Sequence, residues 1–300
     1  MNGEKRLVVG LGELLWDVLP DARLLGGAPA NFAYHAALLG DEGVVASRVG
    51  DDDLGREAIA RLARLGLDTR HVQVDRARPT GTVDVRLDER GRPDFTIAGD
   101  VAWDFIEWTP ELEELASAAD AVCFGTLAQR SPASAGTIRR FLDAAPAGAV
   151  RVFDINLRQA FYSAETIAQS LGLARIVKLN DEELPRVAAL LGLGAGDELA
   201  SARAIIEAFG PDLVCVTRGD AGSLLATATG AAEHPGCKVE VADSVGAGDA
   251  FTAALVHHYL RGRPLGAMSE AANRMGAWVA SSAGATPEAA PDVIKEVVRA

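Results

Sequence analysis

Five short apolar runs, at residues 7–12, 121–125, 150–155, 175–179 and 213–217, recur along this chain of 300 residues. Amphipathic stretches at 54–65, 138–145, 182–191 and 199–209 lie between them. A strand that is apolar on both faces has to be covered on both faces, and helices that join parallel strands supply that cover. The pattern predicts an α/β fold in which residues 1–300 form one domain, a three-layer α/β/α core around a mostly parallel sheet.

One segment departs from this rhythm. Residues 82–88 alternate apolar and polar, a turn pattern follows at 89–93, and Phe95 and Ile97 resume the alternation. A period of two with one polar face predicts an antiparallel hairpin exposed on one side. With the strand-like residues 71–74 before it, a small β-sheet is expected over 70–106, inserted in the core domain and joined by a contribution from 14–25. Its apolar side needs a cover, so the sheet is a candidate lid or dimer clasp. A hairpin packed only on its own domain is the structural alternative.

Bulk properties narrow the function classes. Hydrophobic residues make up 49% and charged residues 24%, as in ordinary globular proteins. No apolar run reaches the roughly 18 residues of a membrane span, and no leader pattern precedes the first strand. Cys123 and Cys215 sit inside apolar runs, as reduced core cysteines do, and Cys237 stands apart. A cytoplasmic protein is expected. The formal net charge of −13 disfavours nucleic acid and anionic membranes as partners. A small anionic ligand stays open if local groups and a metal ion hold it.

Residues 243–252 read Asp-Ser-Val-Gly-Ala-Gly-Asp-Ala-Phe-Thr. Phe251, Ala254, Leu255 and Tyr259 follow at helical spacing, so Gly246, Ala247 and Gly248 open a helix whose first turn holds Asp249. Small residues at a helix start expose N–H groups and the positive dipole end, which together bind anions. A carboxylate beside such a hole can take a proton from a nucleophile while the N–H groups hold developing negative charge. The structural alternative is a tight turn capped by Asp249.

Other motifs fall at strand ends. Asp17 follows the first strand, and the glycine pair Gly26-Gly27 opens a helix carrying Asn31, a set suited to a polyhydroxyl ligand. The stretch 154–158 ends one strand and supplies Arg158. Asn180 and Glu183 follow the next, where they could order a hydrated Mg²⁺ near phosphates or simply cap a helix. Thr217 and Gly219 belong to a glycine-rich loop closing another. In open α/β sheets ligands bind at this edge. The P-loop pattern is absent, and Leu15 and Phe251 stand where a dinucleotide fingerprint needs glycine, which excludes the usual nucleotide signatures.

Taken together, 26–31, Asn180-x-x-Glu183, 216–222 and above all 243–249 resemble the ribokinase-like PfkB carbohydrate kinases, in order over essentially the whole chain. The Gly-Gly-Ala-Pro-Ala-Asn form and Asp154-x-Asn156-x-Arg158 are closest to the fructokinase branch. The resemblance implies a ribokinase-like core with a β-sheet lid and transfer of the γ-phosphate of ATP to a sugar, with fructose giving fructose 6-phosphate. Asp249 would be the general base and Gly246, Ala247 and Gly248 the anion hole. Asp17, Gly27, Asn31 and Arg158 would bind sugar. Asn180, Thr217, Gly219 and Asn273 would line the nucleotide site, Glu183 would reach Mg²⁺ through water, and Asp243 with carbonyls around 280–284 would hold a monovalent cation such as K⁺. Lys178 and Arg218 would supply local positive potential. A homodimer through the lid is implied as well. Kinases of another hexose, a keto-sugar acid, a pentose or a nucleoside are the alternatives within the enzyme class. A non-catalytic sugar- or nucleotide-binding regulator would have lost the base or the anion hole, and both are present.

Overall fold

In the computed structural model, which describes residues 5–19, 21–87, 93–194, 196–288 and 290–300, the apolar runs become strands of one large sheet. Its members are β1 (Leu7–Leu11), β4 (Glu42–Gly50), β5 (Val72–Asp75), β8 (Ala121–Gly125), β9 (Val150–Asp154), β10 (Ile176–Asn180), β11 (Leu213–Thr217), β12 (Ser223–Ala226) and β13 (Ala231–His234). They lie in the order β13-β12-β11-β10-β9-β8-β1-β4-β5. The run from β11 to β5 is parallel throughout, and β12 and β13 add an antiparallel edge. Strand order reverses between β1 and β8, because the chain first builds outward through β4 and β5 and then returns to β8.

Ten helices among the described residues cover this sheet: α1 (Ala28–Leu38), α2 (Asp53–Arg64), α3 (Pro110–Ala118), α4 (Pro132–Ala144), α5 (Ala164–Leu173), α6 (Glu183–Leu190), α7 (Glu198–Phe209), α8 (Ala247–Tyr259), α9 (Leu265–Ala280) and α10 (Pro291–Arg299). Successive strand residues point to opposite faces, and each face has its own core. Val9, Phe124, Phe153 and Val177 pack with α3 to α7. Val8, Cys123, Val152 and Cys215 pack with α1, α8, α9 and α10. The fold is therefore the expected three-layer α/β/α arrangement. Helix α1 lies against the sheet backbone to backbone: a Cβ on Gly10 would fall 2.0 Å from the Pro29 carbonyl oxygen, and one on Gly43 would fall 2.0 Å from that of Ala33. Only glycine permits that approach.

A second sheet has the order β3-β2-β6-β7, with β2 (Leu15–Val18), β3 (Arg23–Gly26), β6 (Gly81–Leu87) and β7 (Pro93–Ile97). Here β2 runs parallel to β6, so residues 15–26 provide two of its four strands. The turn expected at 89–93 lies, except for Pro93, outside the described residues. Residues 71–74 were expected in this small sheet, and that is corrected: β5 pairs in parallel with β4, from Ser47 beside Val72 to Gly50 beside Asp75. Val72 is buried against the core, and Asp75 meets the buried Arg48 at 3.2 Å. Both ties hold the strand to the large sheet.

Candidate active site

Strand ends line up along one rim. Gly10 stands beside Cys123, Gly125 beside Asp154, Asp154 beside Lys178, and Asn180 beside Thr217. The carboxyl ends of β1 and β8 flank the point of reversal, where open α/β sheets accept ligands.

Helix α8 aims its N-terminus at this rim. Gly246 is its N-cap at φ 79°, and a Cβ there would stand 2.6 Å from that of Ala285. Both conformation and space require glycine. The first turn presents N–H groups and the positive dipole end, although Ala247 turns its own N–H back to the Ser244 carbonyl at 3.3 Å. Asp249 lies in this turn. Helix α1 meets it from the other side: Gly27 caps α1 at φ 116°, with the Glu13 carbonyl 2.4 Å from where a Cβ would sit. The buried Asn31 amide donates to Asp249 Oδ2 at 2.8 Å.

A second layer of charge lies beneath. Buried Lys178 donates to Asp154 Oδ1 at 3.2 Å, and its ammonium is 3.0 Å from the place of a Cβ on Gly248. The Thr252 hydroxyl lies 3.2 Å from Asp154 Oδ2 and 2.9 Å from the Gly248 carbonyl, tying this pair to the first turn of α8. Burial works against the Lys178 charge, but Asp154, Glu183 and Asp249 outweigh it and hold the ammonium above its usual range. Burial pushes the Asp249 carboxyl up to about 6, with Asp154 adding to the rise and Asn31, Lys178 and Arg158 opposing it. A carboxylate so placed still ionises at neutral pH while keeping a raised basicity.

The other expected residues spread around this centre. Asp17 stands half-buried on β2, raised by burial against the pull of Arg158. Arg158 is exposed in the loop after β9, and Glu13, Asp17 and Asp249 all feel its charge. Glu183 is buried with both oxygens engaged, one accepting from the Leu157 N–H at 2.7 Å and the other from that of Asn180 at 2.9 Å. It thus clamps the Arg158 loop to the start of α6. Asn180 Oδ1 accepts from the N–H groups of Glu182 and Glu183 at 3.0 and 2.8 Å, which is a helix-capping pattern. Thr217 ends β11 at the rim, and Gly219 turns there at φ 57°. Asn273, buried on α9, donates to Ser223 Oγ at 2.8 Å, and Ser223 is the cross-strand neighbour of Thr217. Asp243 accepts from the N–H of Val245 at 3.0 Å and from that of Gly284 at 3.2 Å, binding the two loops that adjoin α8. Arg218 differs from expectation. Its guanidinium is spent on Glu198, with Nε 2.8 Å from Oε2, and on Glu233 at 3.1 Å, so it adds no free positive potential.

Sequence reasoning passed over Glu13. It is 4% exposed and lines the cavity under Asp249, together with Asp154, Asn156 and Thr252. The available signal was an acid between Gly12 and the apolar pair Leu14-Leu15, where a turn residue on the surface would be the default. Among the described residues no group of three or more acidic, histidine or cysteine side chains forms a metal cage, and no helix is long and apolar enough to cross a membrane.

Comparison with known proteins gives a consistent set. The model of the pfkB family carbohydrate kinases matches residues 22–292. A fructokinase of Klebsiella pneumoniae is 32% identical over 267 residues, covering 85% of this chain and 84% of that protein. The structure of a sugar kinase of Pyrococcus horikoshii in complex with ATP is 27% identical with a TM-score of 0.79, covering 97% of this chain and 100% of the other. That of the Vibrio cholerae fructokinase with fructose, ADP and calcium is 26% identical with a TM-score of 0.79, covering 98% and 99%.

Proposed function

Because this chain belongs to the pfkB family of carbohydrate kinases, we propose that it transfers the γ-phosphate of ATP to D-fructose, making fructose 6-phosphate, with Asp249 as general base. The observation that carries this reading is the junction of α1 and α8. It sets a carboxylate, oriented by Asn31, beside the first-turn N–H groups of a glycine-opened helix. In that geometry the sugar hydroxyl gives its proton to Asp249, its oxygen forms the new bond to γ-phosphorus, and the bridging oxygen leaves with ADP. Charge that develops on the transferred group falls on the helix start, with the Lys178 ammonium below it.

The sugar lies between Asp249 and the small sheet. Gly27 and Asn31 support it from α1, Asp17 from β2 and Arg158 from the β9 loop. The small sheet is its lid, excluding water from the phosphate, and a homodimer forms through it. Asn180, Thr217, Gly219 and Asn273 border the nucleotide. Mg²⁺ bound with ATP would supply neutralisation of phosphate charge. A hydrated ion carried by phosphates needs few protein donors, and Glu183 reaches it only through water. Asp243 and the loop it ties at Gly284 would hold K⁺. The cytoplasm, where ATP is made and thiols stay reduced, suits the three free cysteines.

ADP release measured over a panel of hexoses, pentoses, keto-sugar acids and nucleosides with Mg-ATP tests the proposal. Highest kcat/KM on D-fructose is the expected result. Preference for another member of the panel would replace fructose, and binding without turnover on every sugar would return the protein to a regulator.

A further inference from the structure

Glu13 is a buried acid that the transfer described above leaves unused. It lies two residues past β1, where the connection to β2 crosses the point at which strand order reverses. Its Oε2 is fully buried and has no hydrogen-bond partner among the described residues. With Asp249, Asn156 and Thr126 it lines a cavity of ≈ 10 Å³, room for one water-sized group such as a single hydroxyl of a ligand seated above it. A buried carboxylate oxygen lacking a donor is costly, whereas a protonated carboxyl in the same place becomes a donor seeking an acceptor.

Burial and, to a smaller degree, the like charge of Asp249 favour the acid form. Asp249 faces it from α8 with the same sign, and Asp154 and Lys178, already paired to each other, adjoin Asp249 from β9 and β10. Arg158, from the loop after β9, and the backbone N–H groups of Glu13 and Ala28 favour ionisation. Burial outweighs them and pushes the carboxyl up to about 7.

Building on the sugar-kinase reading, we infer that Glu13 binds the acceptor sugar as a protonated acid, donating a hydrogen bond to a sugar oxygen beside the hydroxyl that Asp249 deprotonates. Two carboxyl groups in one cavity then hold different protonation states because their partners differ. Asp249 has Asn31 donating to it and accepts the proton. Glu13 has an oxygen without a donor and gives a hydrogen bond. The pair recognises an acceptor with two neighbouring oxygens, one hydroxyl to be phosphorylated and one oxygen able to accept.

Calorimetric titration of the wild-type protein with D-fructose, and with any other sugar turned over in the panel, reads this directly. At pH 8, in two buffers of different ionisation enthalpy, binding should take up close to one proton, since Glu13 is mostly ionised in the free protein at that pH. Glu13→Gln carries a permanent N–H donor and should bind with no uptake. In turnover, wild-type kcat/KM for the sugar should fall about tenfold per unit above about pH 7, and Glu13→Gln should lose that fall. Sugar binding by the wild type with no proton uptake, or an alkaline fall kept by Glu13→Gln, overturns the inference. The wild-type proton count stands even if a variant fails to fold. Turnover without uptake defeats Glu13 alone, whereas a wild type that neither binds nor phosphorylates any sugar defeats the kinase reading and this inference together.

Discussion

The Asn31 side-chain amide donates to Asp249 Oδ2 at 2.8 Å, joining residues 218 positions apart. Each partner sits in the first turn of a helix whose start only glycine allows, Gly27 for α1 and Gly246 for α8. The bond fixes the carboxylate plane, occupies one oxygen and leaves Oδ1 for the proton that the proposed transfer would deliver. It also opposes the effect of burial, which has pushed the Asp249 carboxyl up to about 6.

Asp249→Asn should lower kcat by about 10²–10⁴, the range expected for loss of a general base, with smaller changes in both KM values. The wild-type pH profile gives an independent check. The base form is the ionised one and is populated above the raised pKa, so activity should fall as pH drops through about 6. An ordinary aspartate would hold its activity to about pH 4. Steady-state kinetics from pH 5 to 8 separate the two outcomes. Near-normal turnover in Asp249→Asn would remove this residue from the chemistry.

Asn31→Asp replaces the donor with a second carboxyl at the same distance. Like charges this close share a proton, so the acid limb of the kcat profile should move up by about one unit or more. Asn31→Ala removes the donor without adding charge, and there the upward shift should be smaller, with the main loss in kcat from a misoriented carboxylate. An acid limb at the wild-type position in both variants would show that the hydrogen bond does not tune Asp249.

What could be read beforehand depended on how local its cause was. The large sheet was legible because strands such as β9 and β11 must be apolar on both faces wherever they sit. The rim was legible because polar residues such as Asn180 and Thr217 stop those runs at one end. Strand β5 was not: Val72–Asp75 alternates apolar and polar in sequence like a hairpin strand, yet Val72 and Asp75 are the buried pair and Val74 is exposed, and only pairing with β4 decides its sheet. The loss of the Arg218 charge to Glu198 and Glu233 was equally hidden, since guanidinium partners are chosen in three dimensions. Glu13 escaped because a lone acid next to apolar residues reads as a turn unless its burial is known.

Lys178→Met tests the charge beneath the proposed anion hole. The ammonium lies 3.0 Å from the Cβ position of Gly248 and pairs with the buried Asp154. Its removal should lower kcat by about 10–100-fold while leaving the sugar KM within a few-fold, because the charge acts on the phosphate in flight. Stability should fall by about 3–5 kcal/mol, the usual cost of stranding one buried charge. Adding Asp154→Leu to Lys178→Met should restore much of the stability and none of the rate. A double variant that regains activity with its stability would reduce Lys178 to a structural ion pair.

Gly246→Ala distinguishes a required glycine from a tolerated one. Gly246 and Gly262 both have left-handed backbone, at φ 79° and 64°. Among the described residues a Cβ on Gly262 meets nothing within 4 Å, whereas one on Gly246 would lie 2.6 Å from the Ala285 side chain and 2.7 Å from its Cα. Gly262→Ala should therefore cost only the conformational penalty of about 1 kcal/mol and keep its kinetics. Gly246→Ala has to displace the 284–285 loop, which Asp243 holds through the Gly284 N–H and His35 holds through the Ala285 carbonyl at 2.9 Å. That shift turns the first N–H groups of α8 away from the rim, so kcat should drop by at least about 100-fold, the loss seen when a single oxyanion donor is removed. Thermal melts together with kcat for the two variants decide the matter. Equal losses at the two glycines would mean that the turn before α8 matters for its backbone angle alone, and not for where it sets the helix start.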